Sequence, residues 1–134
     1  ERTTERGILT GGHVIIGLPG EDAEESIRQA DTISSLPLRL LKIHQLQVIR
    51  GTALARQYEE KPFHLYTPDE YIALIANYLQ HLRRDLVVER FVSQSPSDKV
   101  VAPYWGLKNY EFTNLLVNYM REKGMCQGNL SIDR

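Results

Sequence analysis

Residues 13–21 read His-Val-Ile-Ile-Gly-Leu-Pro-Gly-Glu, an apolar run that ends abruptly in a turn rich in glycine. Consecutive β-branched residues favour a strand, and Gly-Leu-Pro-Gly is a strong break. Beyond the turn, Ala23, Ile27, Ala30 and Ile33 fall on one stripe of a helix. The stretch therefore predicts a strand followed by a helix, and the near-continuous apolar character of the strand predicts that both of its faces are covered.

Two further apolar runs have the same design. Residues 38–49 end at Arg50-Gly51-Thr52, and residues 86–92 end in the loop around Pro96. A helical pattern follows each run, and this alternation predicts a parallel sheet with right-handed crossovers. We therefore predict an α/β fold, as a single domain over residues 1–134.

The helices after the second strand have recognisable ends. A short helix is expected over residues 53–59, and residues 67–70, Thr-Pro-Asp-Glu, form a capping box that starts the next one. The expected core stripe of that helix is Tyr71, Leu74, Ile75, Tyr78 and Leu82. The last helix is expected from about Leu107 to Lys123, with Gly124 as its C-cap. Its expected buried side chains are Phe112, Leu115, Leu116 and Tyr119.

Composition excludes several classes of protein. The chain has 134 residues and a formal net charge of -1, which provides no electrostatic footprint for nucleic acid or an anionic membrane. Its single cysteine, Cys126, excludes a disulfide framework and a cysteine-rich metal site. No apolar run approaches the roughly 20 residues that span a bilayer, so the cytoplasm is the expected location. Residues 1–6 look like the tail of an earlier helix, which suggests a piece of a longer protein.

The glycine turn at residues 17–20 lies where ligands bind in parallel α/β sheets, at the carboxyl end of a strand. It has neither dinucleotide-binding nor P-loop spacing. Glu21, Asp22, Glu24 and Glu25 follow it and would repel a phosphate at the helix start. The turn is therefore better suited to a neutral or cationic ligand, and a purely structural turn remains an alternative.

Two of these stretches carry a family resemblance. Residues 13–21 resemble the strand-five motif of radical S-adenosylmethionine (SAM) enzymes, in the branch of the oxygen-independent coproporphyrinogen oxidase and the elongator catalytic subunit. Residues 41–54, LKIHQLQVIRGTAL, resemble strand six of that branch and its Gly-Thr-x-Leu turn. The order and spacing of the two stretches suit consecutive strands of such an enzyme.

Later residues extend the resemblance. Residues 88–91, Val-Glu-Arg-Phe, with Pro96 beyond them, resemble the Arg-Ile/Phe…Pro segment of elongator-like members. Residues 102–105, Ala-Pro-Tyr-Trp, with Lys108, are similar to an uncharacterised bacterial group of Fe–S oxidoreductases. The resemblance covers about residues 7–120 and departs from the family in having no cysteine triad.

The resemblance implies a fold and a chemistry. The chain would be the C-terminal portion of a TIM-like (βα)6 barrel, a half-barrel that lacks the half with the C-x-x-x-C-x-x-C loop. In the family, that loop holds a 4Fe–4S cluster, and SAM bound to the cluster is cleaved reductively to a 5′-deoxyadenosyl radical. A cluster needs thiolate ligands that Cys126 alone does not supply. The fragment by itself is therefore expected to be inactive, within a parent protein that is a radical SAM Fe–S oxidoreductase.

The resemblance also implies site residues. Those expected around the adenine of SAM are Ile15, Gly17 and Leu18 from the first strand and its turn, and His44, Gln45 and Leu46 from the second. In a strand His44 and Leu46 share one face and Gln45 lies on the other, and the sequence leaves open which face lines the pocket. The four histidines lack metal-ligand spacing, and each is interpreted as structural.

Charged and aromatic residues offer fewer signals. Arg90, within an apolar strand, needs a carboxylate partner or a substrate anion if it is buried; Glu89 should point to the opposite face, so Arg90 is a candidate substrate contact. The pair Arg83 and Arg84 is interpreted as a solvated helix end, answered by Asp85. Tyr104 and Trp105 are expected to pack over a helix end, with a pocket cap as the alternative.

The expected partners follow from the half-barrel. They are the N-terminal half of the same protein and a substrate that is either RNA or a small molecule, with no membrane. The alternative function is a non-enzymatic α/β interaction module that pairs with a partner or a second copy through an exposed strand edge. A hydrolase or transferase has little support, because there is no G-x-S-x-G and no nucleophile–base pair.

Overall fold

A computed structural model describes residues 11–93, 95–96 and 98–130. The predicted tail of an earlier helix in residues 1–6 lies outside the described residues. In chain order, the elements are β1 (Gly11–Ile16), α1 (Ala23–Ser34), β2 (Leu40–Gln45), β3 (Val48–Ile49), α2 (Ala53–Glu60), α3 (Pro68–His81), β4 (Val87–Arg90), β5 (Val100–Ala102) and α4 (Asn109–Lys123). Among these helices, none has both the length and the hydropathy needed to cross a bilayer.

The predicted parallel sheet is present, with strand order β1-β2-β4. Strands β1 and β2 pair in parallel from Gly11 opposite Leu40 to Ile16 opposite Gln45. The N–H of Leu46 also donates to the carbonyl of Ile16 at 2.9 Å, so the pairing continues one residue past the end of β2. The carboxyl ends of β1 and β2 therefore coincide at one edge of the sheet.

The apolar run of residues 38–49, predicted as one strand, divides into two. Strand β2 ends at Gln45, and β3 forms a separate antiparallel pair with β5, which the sequence did not predict. The reason is the length of the neighbouring strand: β1 ends at Ile16, so beyond it the backbone groups of residues 48–49 need other partners. Strand β5 supplies them, and the N–H of Arg50 donates to the carbonyl of Lys99 at 2.8 Å.

Only one face of the sheet is covered by helices in the described part of the chain. Val14, Ile16, Leu41 and Ile43 pack into a core with residues of α1, α3 and α4. On the opposite face His13 is exposed, and Ile15 has 48% of its surface accessible. The prediction that β1 is covered on both faces is therefore wrong for the described residues, because the apolar run hides an alternation of inward and outward side chains.

Helix α3 packs into the core through the predicted stripe. All five residues of its expected stripe are buried, including Leu82, which caps its end. The capping box is formed: the N–H of Glu70 donates to Oγ1 of Thr67 at 3.2 Å, and the N–H of Thr67 donates to Oε1 of Glu70 at 3.0 Å.

The other helices depart slightly from the predictions. Helix α4 begins at Asn109 rather than near Leu107, and Leu115 is 45% exposed because the core-facing stripe runs through Phe112 and Leu116 instead. Gly124 has the predicted left-handed C-cap conformation, with φ of 68°. In α1, Ala30 and Ile33 are buried, but Ala23 is exposed because it is the first residue of the helix.

Arg83 is a partly buried structural residue, which corrects its interpretation as a solvated helix end. Its side chain is 19% exposed, and its guanidinium donates to the carbonyls of Ser34, Leu36 and Leu38. Nε also donates to Asp85 at 2.6 Å, as the sequence predicted. One planar donor group thus fixes the connection between α1 and β2 against the end of α3.

We predict that Arg83→Ala lowers the free energy of unfolding by about 2–3 kcal/mol, because hydrogen bonds from a charged donor to three carbonyls are lost. Urea denaturation followed by circular dichroism measures the change. Arg56→Ala, which removes an exposed arginine from α2, is the matched control and should change stability by less than about 0.5 kcal/mol. Equal effects of the two substitutions would contradict the structural role of Arg83.

Candidate functional site

A concavity of about 410 Å³ lies on the open face of the sheet, at the carboxyl ends of its strands. This volume is within the usual range for small-molecule sites. Its lining residues come from β1, from β2 and the segment after it, and from the segment after β4: His13, Ile15, His44, Gln45, Leu46, Gln47, Ile49, Ser93 and Ser95. Four of the six residues predicted to contact adenine are therefore brought together here.

The other two predicted residues lie in the turn beside this cleft, outside its lining. Leu18 is 43% exposed. Gly17 has φ of 99°, and a Cβ added there would lie 3.4 Å from the ring of Tyr66 and 3.8 Å from Cβ of Leu46. The backbone conformation therefore favours glycine here, whereas a Cβ would make only ordinary contacts with Tyr66 and Leu46.

Three polar side chains form a hydrogen-bonded chain on the open face. Nδ1 of His13 lies 3.1 Å from Nε2 of His44, and the two rings are within 8° of parallel. Nδ1 of His44 lies 2.8 Å from Oγ of Ser93. The His44 side chain therefore lies on the open face with His13, which settles the orientation that the sequence left open for this residue.

Gln45 has a different role from His44. It is only 7% exposed, and its side-chain amide accepts from the N–H of Ser93 and donates to the carbonyl of Ser93 at 3.4 Å. Both hydrogen-bonding ends of the amide are used, so Gln45 joins the end of β2 to the segment after β4. It shapes the cleft by positioning Ser93.

Electrostatics favour a neutral His44. Burial lowers the pKa of its imidazole below the ordinary value, and the positive charges of His13, Arg90 and Lys42 lower that pKa further. A neutral ring has one nitrogen that donates and one that accepts. The neutral ring lies between His13 and Ser93, so it donates a hydrogen bond to one of them and accepts a hydrogen bond from the other.

Arg90 lies on the edge strand opposite Lys42, at an irregularity in the pairing of β2 with β4. The carboxylate of Glu89 lies 3.8 Å from Nζ of Lys42, so Glu89 forms its ion pair with Lys42 and not with Arg90. Within the described residues, no carboxylate is in ion-pair distance of Arg90. The guanidinium is thus available to an anion, although its role toward substrate stays a prediction.

The chemistry of the cleft fits the nucleoside part of SAM and does not fit a metal cluster. Ile15, Leu46 and Ile49 supply apolar surface, while histidine, amide and hydroxyl groups supply neutral hydrogen-bonding atoms. In residues 11–93, 95–96 and 98–130 there is no cluster of three or more potential metal ligands. Cys126 is exposed and free.

Comparison with known proteins supplies the family. The sequence profile of the Radical_SAM C-terminal domain matches residues 38–122, from before β2 into the last turn of α4. The chain belongs to this family. Its membership agrees with the radical SAM resemblance of the strand-end motifs.

Similar proteins are found in archaea and bacteria. Over 125 residues the chain is 31% identical to the uncharacterized protein MJ0486 of Methanocaldococcus jannaschii, covering 92% of this chain and 39% of that protein. It is 27% identical to the uncharacterized protein YtqA of Bacillus subtilis, covering 92% and 38% respectively. The chain therefore spans about two-fifths of the length of these curated relatives.

The fold also matches part of a solved structure. The structure of Methanocaldococcus infernus Elp3 with an N-terminal deletion superposes with a TM-score of 0.76 at 22% identity. The match covers 92% of this chain and 29% of the Elp3 chain. It supports the α/β fold with its parallel three-stranded sheet.

Sequence reasoning missed Ser93 and the contact between His13 and His44. These two histidines are separated by 31 positions in the chain, and their contact follows only from the register in which Ile15 lies opposite His44. Aligning the last residues of the two strands would have revealed this register, because His13 and His44 then fall diagonally on one face.

We predict that the pKa of His44 rises in a His13→Gln variant but stays below about 6.5, the value expected without burial. The substitution removes one nearby positive charge, whereas burial, the larger cause, remains. The chemical shift of the His44 Cε1 proton, followed by NMR as a function of pH, measures this pKa. His64→Gln removes a distant, exposed histidine and should leave the titration of His44 unchanged; an unchanged or lower pKa in His13→Gln would refute the expected coupling.

The lowered pKa of His44 also makes the stability of the fold depend on pH. Because folding holds the pKa of His44 below that of the unfolded chain, protonation of His44 favours unfolding. The contribution of neutral His44 to the free energy of unfolding is fully present above its pKa in the unfolded chain, about 6.5. This contribution is lost as the pH falls through the lower pKa of the folded state. Urea denaturation of the wild type and of His44→Gln at several pH values should therefore show a shallower loss of stability in the variant over this range.

Proposed function

We propose that this chain is the C-terminal part of a radical SAM Fe–S oxidoreductase and forms one wall of its SAM pocket. One observation carries the proposal: Ile15, His44 and Leu46, from consecutive parallel strands and the segment after them, line one cleft at the carboxyl ends of the sheet. Ligands of parallel α/β folds bind at this end. Membership of the Radical_SAM C-terminal domain family supports SAM as the cofactor of the parent protein.

The proposed architecture is the C-terminal portion of a TIM-like (βα)6 barrel, with the N-terminal half of the same protein as its partner. The uncovered face of the sheet supports this, because strands of parallel sheets are normally buried on both sides. In a closed barrel the face that carries His13 and His44 would be the interior one. The curated relatives are long enough to contain the missing half.

In this proposal each residue of the cleft has a physical role. Ile15 and Leu46 offer apolar surface to the adenine ring, and His44 offers a neutral ring held in place by His13 and Ser93. Gln45 positions Ser93, and the Gly17 turn closes the end of β1.

The chain has too few cysteines to hold an iron–sulfur cluster by itself. A 4Fe–4S cluster needs several thiolates, and the sequence has one cysteine. When bound at such a cluster, SAM supplies a carbon–sulfur bond that is cleaved by one-electron reduction. The N-terminal half would hold the cluster, the isolated chain would be inactive, and Arg90 would face a substrate that is either RNA or a small molecule.

A non-enzymatic interaction module is the second candidate. Strand β1 lies at the edge of the three-stranded sheet, and an exposed edge is a template for pairing with another chain. Light scattering separates the candidates: a concentration-dependent dimer of the full-length protein that dissociates when a proline replaces Val14 would favour the module. A monomer that binds SAM would favour the enzyme.

We predict that Ile15→Asp weakens SAM binding by the full-length, cluster-loaded protein at least about tenfold, equivalent to about 1.4 kcal/mol. The substitution places a charged group where an apolar contact to adenine is proposed. Equilibrium dialysis with labelled SAM under anaerobic conditions measures the dissociation constant.

Val87→Asp is the matched control. Val87 is likewise an exposed apolar strand residue, 54% exposed against 48% for Ile15, but it lies outside the cleft lining. SAM affinity should be unchanged in this variant. Wild-type affinity in Ile15→Asp, or equal losses in both variants, would refute the proposed cofactor wall.

A further inference from the structure

A second concavity, of about 330 Å³, lies beside the cofactor-facing cleft. The two share Gln45, Gln47, Ser93 and Ser95 in their linings, so they adjoin each other. The rest of the second concavity, which we call the Trp105 pocket, is built mainly by the segment between β5 and α4. Those remaining lining residues are Val100, Pro103, Tyr104, Trp105, Gly106, Leu107 and Lys108.

Trp105 forms a fixed wall of this pocket. Its Nε1–H donates to the carbonyl of Tyr66 at 3.1 Å, and its ring centroid lies 5.2 Å from that of Tyr71, which is fully buried in α3. The expected packing over a helix end is thus confirmed for Trp105. Because both its polar atom and one side of its ring are engaged, Trp105 presents a rigid aromatic surface at low entropic cost.

Tyr104 is different from its neighbour. It is 69% exposed, and it does not take part in the aromatic contacts that hold Trp105 among the described residues. An exposed tyrosine next to an anchored tryptophan provides two aromatic surfaces at one opening. Flat rings pack well against such surfaces, because aromatic pairs gain energy beyond the area that they bury.

The polar groups of the Trp105 pocket favour an anion. Gln47 accepts from Oγ of Ser95 at 2.7 Å through Oε1, and its amide nitrogen makes no hydrogen bond to a described residue. Lys108 is exposed, and its Nζ lies 6.0 Å from the centroid of the Tyr110 ring. In the described part of the chain no carboxylate is in ion-pair distance of this ammonium, although Glu111 accepts a hydrogen bond from the backbone N–H of Lys108 at 3.0 Å. The lining contains no aspartate or glutamate. The lining of the pocket thus offers hydrogen-bond donors and one positive charge.

We propose that the Trp105 pocket binds the substrate of the parent enzyme, and that the bound part of this substrate is a flat ring with an anionic substituent. The ring would pack against Trp105 and Tyr104, and the anion would lie toward Lys108 and the Gln47 amide. The assignment as substrate rests on the proposed function, because the shared lining residues put the pocket next to the proposed SAM wall. Binding itself requires neither SAM nor the cluster.

The protein carries its own reporter for this proposal, since Trp105 is the single tryptophan of the 134 residues. Phenyl phosphate combines the ring and the anion, whereas benzamide has only the ring and inorganic phosphate only the charge. Titration of the chain with each compound, followed by tryptophan fluorescence, should give saturable binding of phenyl phosphate. Its dissociation constant should be at least tenfold lower than that of either partial probe.

Surface variants assign the two contacts. Lys108→Ala should weaken phenyl phosphate binding at least fivefold and leave benzamide unaffected, whereas Tyr104→Ala should weaken both. Lys61→Ala removes an exposed lysine at the end of α2 and is the control for net charge. All three positions are exposed, and circular dichroism of each variant verifies the fold.

The outcomes are distinct. Absence of a saturable fluorescence change, equal affinities for the three probes, or equal effects of Lys108→Ala and Lys61→Ala would overturn the proposed ligand class. Ile15→Asp should leave phenyl phosphate binding intact. A protein that binds phenyl phosphate here but does not bind SAM in full-length, cluster-loaded form would refute the proposed function while retaining the pocket.

Discussion

The structure depends on a sheet whose parallel strands are covered by helices on one side only, in the described part of the chain. On the covered side, Ile16, Leu41 and Ile43 are inaccessible to solvent and form one core with α3. That core fixes the plane and register of β1 and β2, and the register in turn places His13 beside His44. Burial of apolar residues on one face is thus what positions polar residues on the other.

The ends of the strands are held together mainly by polar contacts. Gln45 is a buried amide in an otherwise apolar neighbourhood, and such a group is stable only when its hydrogen bonds are made. It bonds to the backbone of Ser93, 48 positions away, so the loop after β4 is tied to the end of β2. Gln45 and Ser93 line both concavities, so this contact shapes the two of them together.

Local signals in the sequence were sufficient for most elements. The glycine break after Ile16, the capping box at Thr67 and the C-cap at Gly124 each reflect a short-range steric or hydrogen-bond requirement, and all three are confirmed. The division of residues 38–49 was not predictable in this way, because it depends on where β1 ends and on pairing with β5 about 50 positions later. The structural role of Arg83 was not predicted either, since its three acceptor carbonyls belong to a segment 45 to 49 positions away.

The candidate site was predictable only in part, because it also depends on contacts between distant segments of the chain. Family motifs pointed to Ile15, His44, Gln45 and Leu46, which line one cleft, but motifs do not report which side chain faces it and which supports it. His44 and Gln45 are adjacent in the chain and have opposite roles. Only the register and the burial of Gln45 separate a residue on the open face from one that orders the loop.

The guanidinium of Arg83 also limits how the chain can vary in length. It donates hydrogen bonds to alternate carbonyls, those of Ser34, Leu36 and Leu38, so these bonds form only when the turn between α1 and β2 has this length. Inserting or deleting one residue there would displace the acceptors from a rigid, planar fork of donors. Surface loops usually tolerate such changes, but this turn should be a place where insertions and deletions are selected against.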